Sequence, residues 1–244
     1  MNKLSPKAES LLTALASQPG VTHQHMDGLR DAIISSPALV DLFNDTLANS
    51  SGSEPELTAL GVMSPGDNYG AKYDPNSGTL NLNLQSMLSA TIDTQNSGNL
   101  SFLFAHELEH ARNAVAMKEH WGTFYQDVRS IAATAAGPPR DYSAPAEAYL
   151  AHTRQDEARA QIRGLNILAD RLQAEGKPVN EVELHTLGGV RTENFLDHNK
   201  STGAVNWKKE YSPNLDNTLT MDASNHAAID IHYYYKPPEI AQMG

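Results

Sequence analysis

The chain has 244 residues, 40% of them hydrophobic and 19% charged, with a formal net charge of −11 and no cysteine. Such a composition is typical of a globular protein, and the length suits one large domain or two small ones. The excess of carboxylates argues against a nucleic-acid partner, because these groups would repel phosphates. The lack of cysteine excludes disulfides, thiol nucleophiles and cysteine-ligated zinc clusters.

The beginning of the chain and its hydropathy pattern bear on localisation. The first seven residues lead into a mixed polar helix pattern, so we expect no cleavable signal peptide of the usual kind. No apolar run approaches the length of a transmembrane helix, and no membrane span is predicted. Export, if it occurs, is expected to use a route without a classical signal.

The first 60 residues are predicted to form a helical region. Residues 5–49 contain two or three short helical patterns, separated by Pro19-Gly20 and by Ser35-Ser36-Pro37. The polar stretch 49–55 is a predicted loop and a candidate joint between subdomains. We therefore divide the chain into residues 1–60 and residues 61–244, with one continuous domain as the alternative.

The middle of the chain predicts a hairpin followed by helices. Residues 69–73 and 79–84 flank the turn sequence Asp-Pro-Asn-Ser-Gly, which indicates a β-hairpin. Three helices are predicted next, at 97–118, at about 121–136 before Gly137-Pro138-Pro139, and at roughly 144–174. An apolar stripe runs along the first of them, and a strand is expected at 227–235. The stripe consists of Leu100, Leu103, Phe104, Leu108, Ala111 and Val115.

Charged and histidine side chains are concentrated in the stretch His106-Glu107-Leu108-Glu109-His110. Histidines four residues apart lie on one helix face, where both imidazoles can reach a single Zn²⁺. The composition of the chain would produce this pattern by chance only about 0.02 times. The stretch therefore predicts a zinc site with His106 and His110 as ligands. We expect Glu109 to be an exposed carboxylate without a catalytic part.

Glu107 is predicted to be the general base of this site. It follows the first ligand and is expected to project toward the open coordination position, where it could accept the proton of the attacking water. The alternative is a surface helix with two solvated histidines. Burial is favoured over that alternative because the apolar residues Leu103-Phe104-Ala105 lead into the motif.

The third ligand is not a histidine of the metzincin type. Ala116 stands where that class has its third histidine, and Asn113 stands where it has a glycine. A carboxylate on a later helix is the remaining common choice, and the stretch 154–161 offers Glu157. Ala160 follows Glu157 by about one turn, and its small side chain would let this helix approach the helix of His106 and His110 closely.

Other carboxylates compete with Glu157 for this role. Asp156 lies about 100° around the same helix and is the direct rival, whereas Glu147 is a weaker one. The alternative is that Asp156 and Glu157 form a solvated helix face. Gln161, one turn after Glu157, is predicted to orient a zinc-bound histidine through its free ring nitrogen.

Candidates for stabilising negative charge on a reacting substrate lie near the end of the chain. Metallopeptidases often use a tyrosine or a histidine for this purpose. The sequence does not choose among the candidates, and an aromatic edge strand is the alternative role for the three tyrosines. The candidates are His226, His232, Tyr233, Tyr234 and Tyr235.

Two segments resemble known proteins. Residues 104–113 (FAHELEHARN) resemble the zinc helix of bacterial effector and toxin metallopeptidases, including the NleD-type effectors. Residues 156–166 (DEARAQIRGLN) resemble the second helix of zincin toxin domains found in large secreted proteins of proteobacteria. The resemblance covers roughly residues 68–175.

The resemblance implies a zincin fold, with His106, His110 and Glu157 as zinc ligands and Glu107 as the base. It also implies export by a dedicated secretion machine and cleavage of proteins in a host or competitor cell; residence in the cytoplasm is the alternative. The expected fold class is α+β and helix-rich, with a small sheet whose edge hairpin precedes the zinc helix.

Two other functions compete with proteolysis. One is a zincin-fold amidase that acts on a non-protein amide or a cell-wall peptide, and nothing in the sequence separates it from a protein-cleaving or peptide-cleaving enzyme. The other is an interaction protein in which zinc only ties two helices together. The sequence offers no obvious fourth ligand near Glu157, which favours an open, catalytic site over a structural one.

Overall fold

The computed structural model describes residues 3–48, 57–64, 66–67, 69–134 and 140–234. Within them the chain is helix-rich with a small sheet, an α+β arrangement. Three predicted features lie outside the described residues. They are the loop at 49–55, the helix stop at 137–139 and Tyr235, which is the last residue of the strand predicted at 227–235. None of the described helices is long and apolar enough to cross a membrane.

Three short helices open the chain, as predicted: α1 (Pro6–Ala16), α2 (His23–Ile34) and α3 (Pro37–Ala48). Their starts follow from capping chemistry. The Ser5 side chain accepts a hydrogen bond from the Ala8 backbone N–H, and Thr22 forms a capping box with His25. Gly20 separates α1 from α2 with a φ of 84°, a conformation that glycine adopts without steric cost.

The sheet contains the predicted hairpin and one further strand. Strands β2 (Ala71–Asp74) and β3 (Thr79–Leu82) pair antiparallel around the predicted turn, and β1 (Ala59–Val62) pairs with β3 in parallel. The strand order is β1-β3-β2, so β2 lies at an edge. A short helix, α4 (Leu84–Ser89), follows β3.

The prediction of separate helices at 97–118 and 121–136 is wrong, because one helix, α5 (Thr94–Thr134), covers the first and the described part of the second. No proline or capping residue separates Lys118 from Trp121, and the single Gly122 does not stop a helix. The later prediction is confirmed within one residue by α6 (Ser143–Ala174). Val115 is 43% exposed, in contrast to the buried remainder of the stripe, because α5 extends beyond the core there.

The last part of the described chain contains α7 (Glu181–Gly188), a 3₁₀ turn at 189–192, and the antiparallel strands β4 (Leu196–His198) and β5 (Val205–Trp207). The strand predicted at 227–235 is wrong. Helix α8 (Ala223–Ile229) is capped by Asp222, whose side chain accepts a hydrogen bond from the Asn225 backbone N–H, and a π-helical turn follows at 230–234. Burial of Ala228 and Ile229 against the protein core overrides the β propensity of this segment.

Helix α5 contributes to two apolar cores. On one side Phe104 meets Phe43 of α3 edge to face, with ring centroids 5.2 Å apart, in a core shared with α1–α3 and the sheet. On another side Phe102 belongs to the core formed by α6, α7 and the C-terminal segment. A Cβ atom at Gly164 of α6 would lie 2.8 Å from the Phe102 ring. Glycine at this position therefore permits the close approach of α5 and α6.

We expect Gly164→Ala to lower the free energy of unfolding by about 1–3 kcal/mol, because the added methyl overpacks the contact with Phe102. Gly122→Ala is the matched control on α5, where an added Cβ has no heavy atom of the described residues within 4 Å. The control should be more stable than the parent by about 0.5–1 kcal/mol, since alanine favours a helix. Urea unfolding of the three proteins makes the comparison; equal stability of Gly164→Ala and the parent would contradict the packing argument.

Candidate metal centre

His106 and His110 lie one turn apart on α5, on the side that faces α6. Their Nε2 atoms are 3.0 Å apart. His106 is 8% exposed, and its ring stacks on that of Phe102 with centroids 6.3 Å apart. The predicted pair of imidazoles is thus buried and directed at a common point.

Glu157 of α6 completes the group. Its Oε1 lies 3.6 Å from His106 Nε2, and its Oε2 lies 3.5 Å from His110 Nε2. One ligand atom from each of the three residues falls within 4.8 Å of the others. The sequence-predicted ligands therefore converge, although Glu157 is 47 positions from His110 and belongs to a different helix.

The spacing of these atoms fits a metal ion. Ligands about 2.0–2.2 Å from a tetrahedral ion are separated from one another by roughly 3.3–3.6 Å. Two of the separations, 3.5 and 3.6 Å, lie in that range, and the third, 3.0 Å, is slightly shorter. A buried group of two histidines and one glutamate can bind a metal ion, and its three donors leave a position for water or substrate.

Asp156 has a role different from both predicted alternatives. It is neither a rival ligand nor a solvated carboxylate, because its Oδ2 lies 2.7 Å from Nδ1 of His110. The two ring nitrogens face different directions, so a residue on Nδ1 cannot share the ion on Nε2. Asn113 donates to Asp156 Oδ1 at 2.8 Å and fixes its carboxylate. Asp156 therefore orients His110.

Gln161 also differs from its predicted role. Its Nε2 donates to Glu157 Oε1 at 2.9 Å, so it orients the carboxylate ligand and not a histidine. Nδ1 of His106 is buried and has no hydrogen-bond partner among the described residues. Glu147, the weaker candidate ligand, is exposed on an earlier part of α6.

The charges of the group are strongly coupled. Burial acts to lower the pKa of His110, but hydrogen bonds to Asp156 and Glu157 outweigh it and raise this pKa to about 10. Burial acts to raise the pKa of Glu157, whereas the hydrogen bond from His110 and the proximity of His106 hold it at about 2. Burial lowers the pKa of His106 to about 4. His110 thus faces two carboxylates, with Asp156 2.7 Å from its Nδ1 and Glu157 3.5 Å from its Nε2.

Glu107 is buried beside the ligands, with 8% of its surface exposed. Its Oε2 accepts a hydrogen bond from the Tyr73 backbone N–H at 2.7 Å, which ties the carboxylate to edge strand β2. Burial raises the pKa of Glu107, against the opposing effects of His110 and of this hydrogen bond. A carboxylate with a raised pKa is suited to accept and return a proton.

The prediction that Glu109 is exposed is wrong. It is 5% exposed, and its Oε2 lies 2.9 Å from Nε of Arg163 on α6, with Arg112 at 3.7 Å. Helix α6 covers this face of α5, which is a long-range contact that the local pattern does not contain. Glu109 therefore forms part of the α5–α6 interface.

Only part of the set of tyrosine and histidine candidates reaches the group. Burial, together with the negative charge of Glu157, raises the pKa of Tyr233 to about 12. Burial and the charge of Glu157 also raise the pKa of Tyr234. His232 instead bonds to Glu210 at 2.9 Å, and the charged neighbours of His226 are outside the ligand set.

Arg191 is a site residue that sequence reasoning missed. It follows α7 in the 3₁₀ turn, and its charge acts on His106, Glu107 and Tyr233. Burial lowers its pKa, and its Nε has no hydrogen-bond partner among the described residues. No motif surrounds Arg191 in the sequence, so nothing in the local pattern indicates its position beside the ligands.

Comparison of the chain with protein-family models, with curated proteins and with solved structures finds no match.

We expect Glu157→Ala to weaken metal binding far more than the roughly 10–100-fold that loss of an outer partner costs, because it removes one of three donors. Glu147→Ala removes an exposed glutamate from the same helix and should bind as the parent does. Calorimetric titration with Zn²⁺ gives both affinities. Equal affinity of the two variants would remove Glu157 from the ligand set.

A smaller effect is expected for Asp156→Ala, with binding weakened by about 10–100-fold, because His110 loses the group that orients its ring. The same titration measures it. An affinity of Asp156→Ala for Zn²⁺ equal to that of the parent would show that Asp156 is not needed for metal binding. A loss as large as that of Glu157→Ala would show that Asp156 is itself a ligand.

Proposed function

We propose that the protein is a zinc-dependent metallopeptidase. The observation that carries this proposal is the convergence of His106, His110 and Glu157 beside the buried carboxylate of Glu107. Two imidazoles and one carboxylate suit Zn²⁺ and Fe²⁺, and the arrangement of His106, Glu107 and His110 on one helix favours Zn²⁺. Zinc bound there would polarise the scissile carbonyl and lower the pKa of a coordinated water to about 7.

Glu107 is assigned the role of general base and acid. Tyr73 engages its Oε2, and no described hydrogen bond engages its Oε1, which is the atom that would accept the proton of the attacking water. The raised pKa lets the same carboxyl return this proton to the departing amine. The anchoring of Oε2 to the backbone of β2 keeps the base oriented during both transfers.

Arg191 and Tyr233 are assigned to the stabilisation of negative charge on the reacting carbonyl oxygen. Arg191 supplies a positive charge that acts on Glu107 and His106, and Tyr233 is near enough to Glu157 for the charge of that carboxylate to act on it. Preorganised donors of this kind are worth more in a site from which water is largely excluded. Of the tyrosine and histidine candidates that the sequence left open for this role, we assign it to Tyr233.

A zincin-like fold is part of the proposal. It is supported by the hairpin before α5, by the base and two ligands on α5, and by the third ligand on α6. The resemblance of residues 104–113 and 156–166 to effector and toxin metallopeptidases extends the proposal to delivery into a target cell and cleavage of proteins there. A purely structural zinc site is disfavoured, because the described residues contribute three ligands and structural sites have four.

Glu107→Gln is expected to bind zinc as the parent does and to lower kcat by about 10²–10⁴-fold, because the amide cannot accept a proton. Both proteins would be incubated with lysates of candidate target cells, and new protein N-termini would be identified by mass spectrometry. Zinc content and thermal unfolding of the variant serve as controls for site and fold. Cleavage at the parental rate by Glu107→Gln would contradict the assigned base, and absence of any cleavage by the zinc-loaded parent would contradict the peptidase.

A further inference from the structure

A pocket of about 650 Å³ lies beside the candidate metal centre, between the β2–β3 turn and the extension of α5. Tyr73 and the turn residues 75–78 form one side of it. Val115, Met117 and Trp121 of α5, with Tyr149 of α6, form the apolar side. The volume is within the range of small-molecule and side-chain binding sites.

The aromatic wall of this pocket is held in place by contacts among its own rings. Trp121 and Tyr149 contact each other edge to face with ring centroids 5.4 Å apart. Phe124 packs against both, at 5.3 Å from Trp121 and 5.4 Å from Tyr149. Rings fixed by one another lose little conformational entropy on binding, which favours affinity for an apolar group.

This wall is nevertheless left exposed. Trp121 is 51% exposed and Val115 is 43% exposed. Neither side chain belongs to one of the two apolar cores. Adjacent exposed apolar residues on a globular protein mark a binding surface more often than isolated ones do. The surface therefore fits an apolar group that arrives from outside the described chain.

Tyr73 joins the pocket to the candidate active site. It lines the pocket, and its backbone N–H holds the carboxylate of Glu107. Helix α5 carries both the two candidate histidine ligands and one wall of the pocket. The pocket residues from Ala114 to Trp121 lie about 6–16 Å beyond His110 along the helix axis. An extended peptide covers that distance in roughly two to five residues.

We propose, resting on the peptidase function above, that this pocket selects substrates by a bulky apolar side chain two to five residues from the scissile bond. The occupant is one aromatic or large aliphatic side chain of an extended polypeptide. A second copy of the chain fits less well, because a two-fold contact would set one concave pocket against another. Trp121 and Tyr149 are specificity residues in this assignment.

The test uses zinc-loaded protein and a library of peptides of fixed length. In the library, each position carries in turn phenylalanine, leucine, alanine or aspartate. The parent is expected to prefer phenylalanine or leucine at one position two to five residues from the cleaved bond. For those peptides Trp121→Ala should lower kcat/KM by about tenfold or more through KM, with little change for alanine peptides.

Tyr125→Ala is the matched control. Tyr125 is an aromatic residue of α5 with a similar exposure of 53%, and it lies outside the pocket. It should retain the parental preference. An equal fall of kcat/KM for all peptides in Trp121→Ala, or an unchanged preference, would overturn the pocket assignment. Dimerisation that Trp121→Ala abolishes, measured by sedimentation, would assign the surface to a second copy and would also overturn it.

A binding readout separates the pocket from the chemistry. In Glu107→Gln with Trp207→Phe, Trp121 is the one remaining tryptophan, because the chain has two. Phenylalanine peptides should change its fluorescence on binding, and alanine peptides should not. Such binding without cleavage by the parent would support the pocket and refute the peptidase, whereas cleavage without this preference would support the peptidase and refute the pocket.

Discussion

The close approach of α5 and α6 is the constraint on which the candidate site depends. His106 and His110 belong to one helix and Glu157 to the other, so their convergence requires the two helix surfaces to be in contact. Gly164 permits this contact, because any side chain there would occupy the space of the Phe102 ring. The ion pair of Glu109 with Arg163 joins a buried carboxylate to the opposite helix, and loss of either partner would leave an uncompensated charge at the same interface. Helix packing thus sets the distances within the ligand group.

The buried histidines and carboxylates of the candidate metal centre each need a hydrogen-bond or ion-pair partner. A buried charge is costly unless it is paired, and each carboxylate near the ligands has a specific partner. Asp156 faces His110 Nδ1, Glu107 accepts from the backbone of Tyr73, and Glu157 receives a hydrogen bond from Gln161. These contacts, all made within the protein, fix the direction of each side chain. The group is therefore preorganised, and the same pairing accounts for the shifted pKa values of His110 and Glu157.

Sequence patterns predicted what depends on local periodicity. The N-terminal helices, the β2–β3 hairpin and the two histidines on one face of a helix all follow from spacing within a few residues. The features that the sequence missed depend on contacts between distant segments. The parallel pairing of β1 with β3, the burial of Glu109 and the position of Arg191 are of this kind. Asp156 shows the limit most clearly, since only the path of α6 across α5 decides which nitrogen of His110 it meets.

The uninterrupted length of α5 connects the proposed recognition pocket with the candidate metal centre. A break near residue 120, as the sequence suggested, would let the aromatic wall move relative to the ligands. In one helix of 41 residues, Trp121 is held at a fixed rise and angle from His110. Gly122 lies within this helix although glycine costs about 0.5–1 kcal/mol there relative to alanine. Contacts of Trp121 and Phe124 with Tyr149 of α6 offset that cost. Rigidity from the candidate ligands to the aromatic wall therefore comes from packing against α6 more than from the helix propensity of this segment.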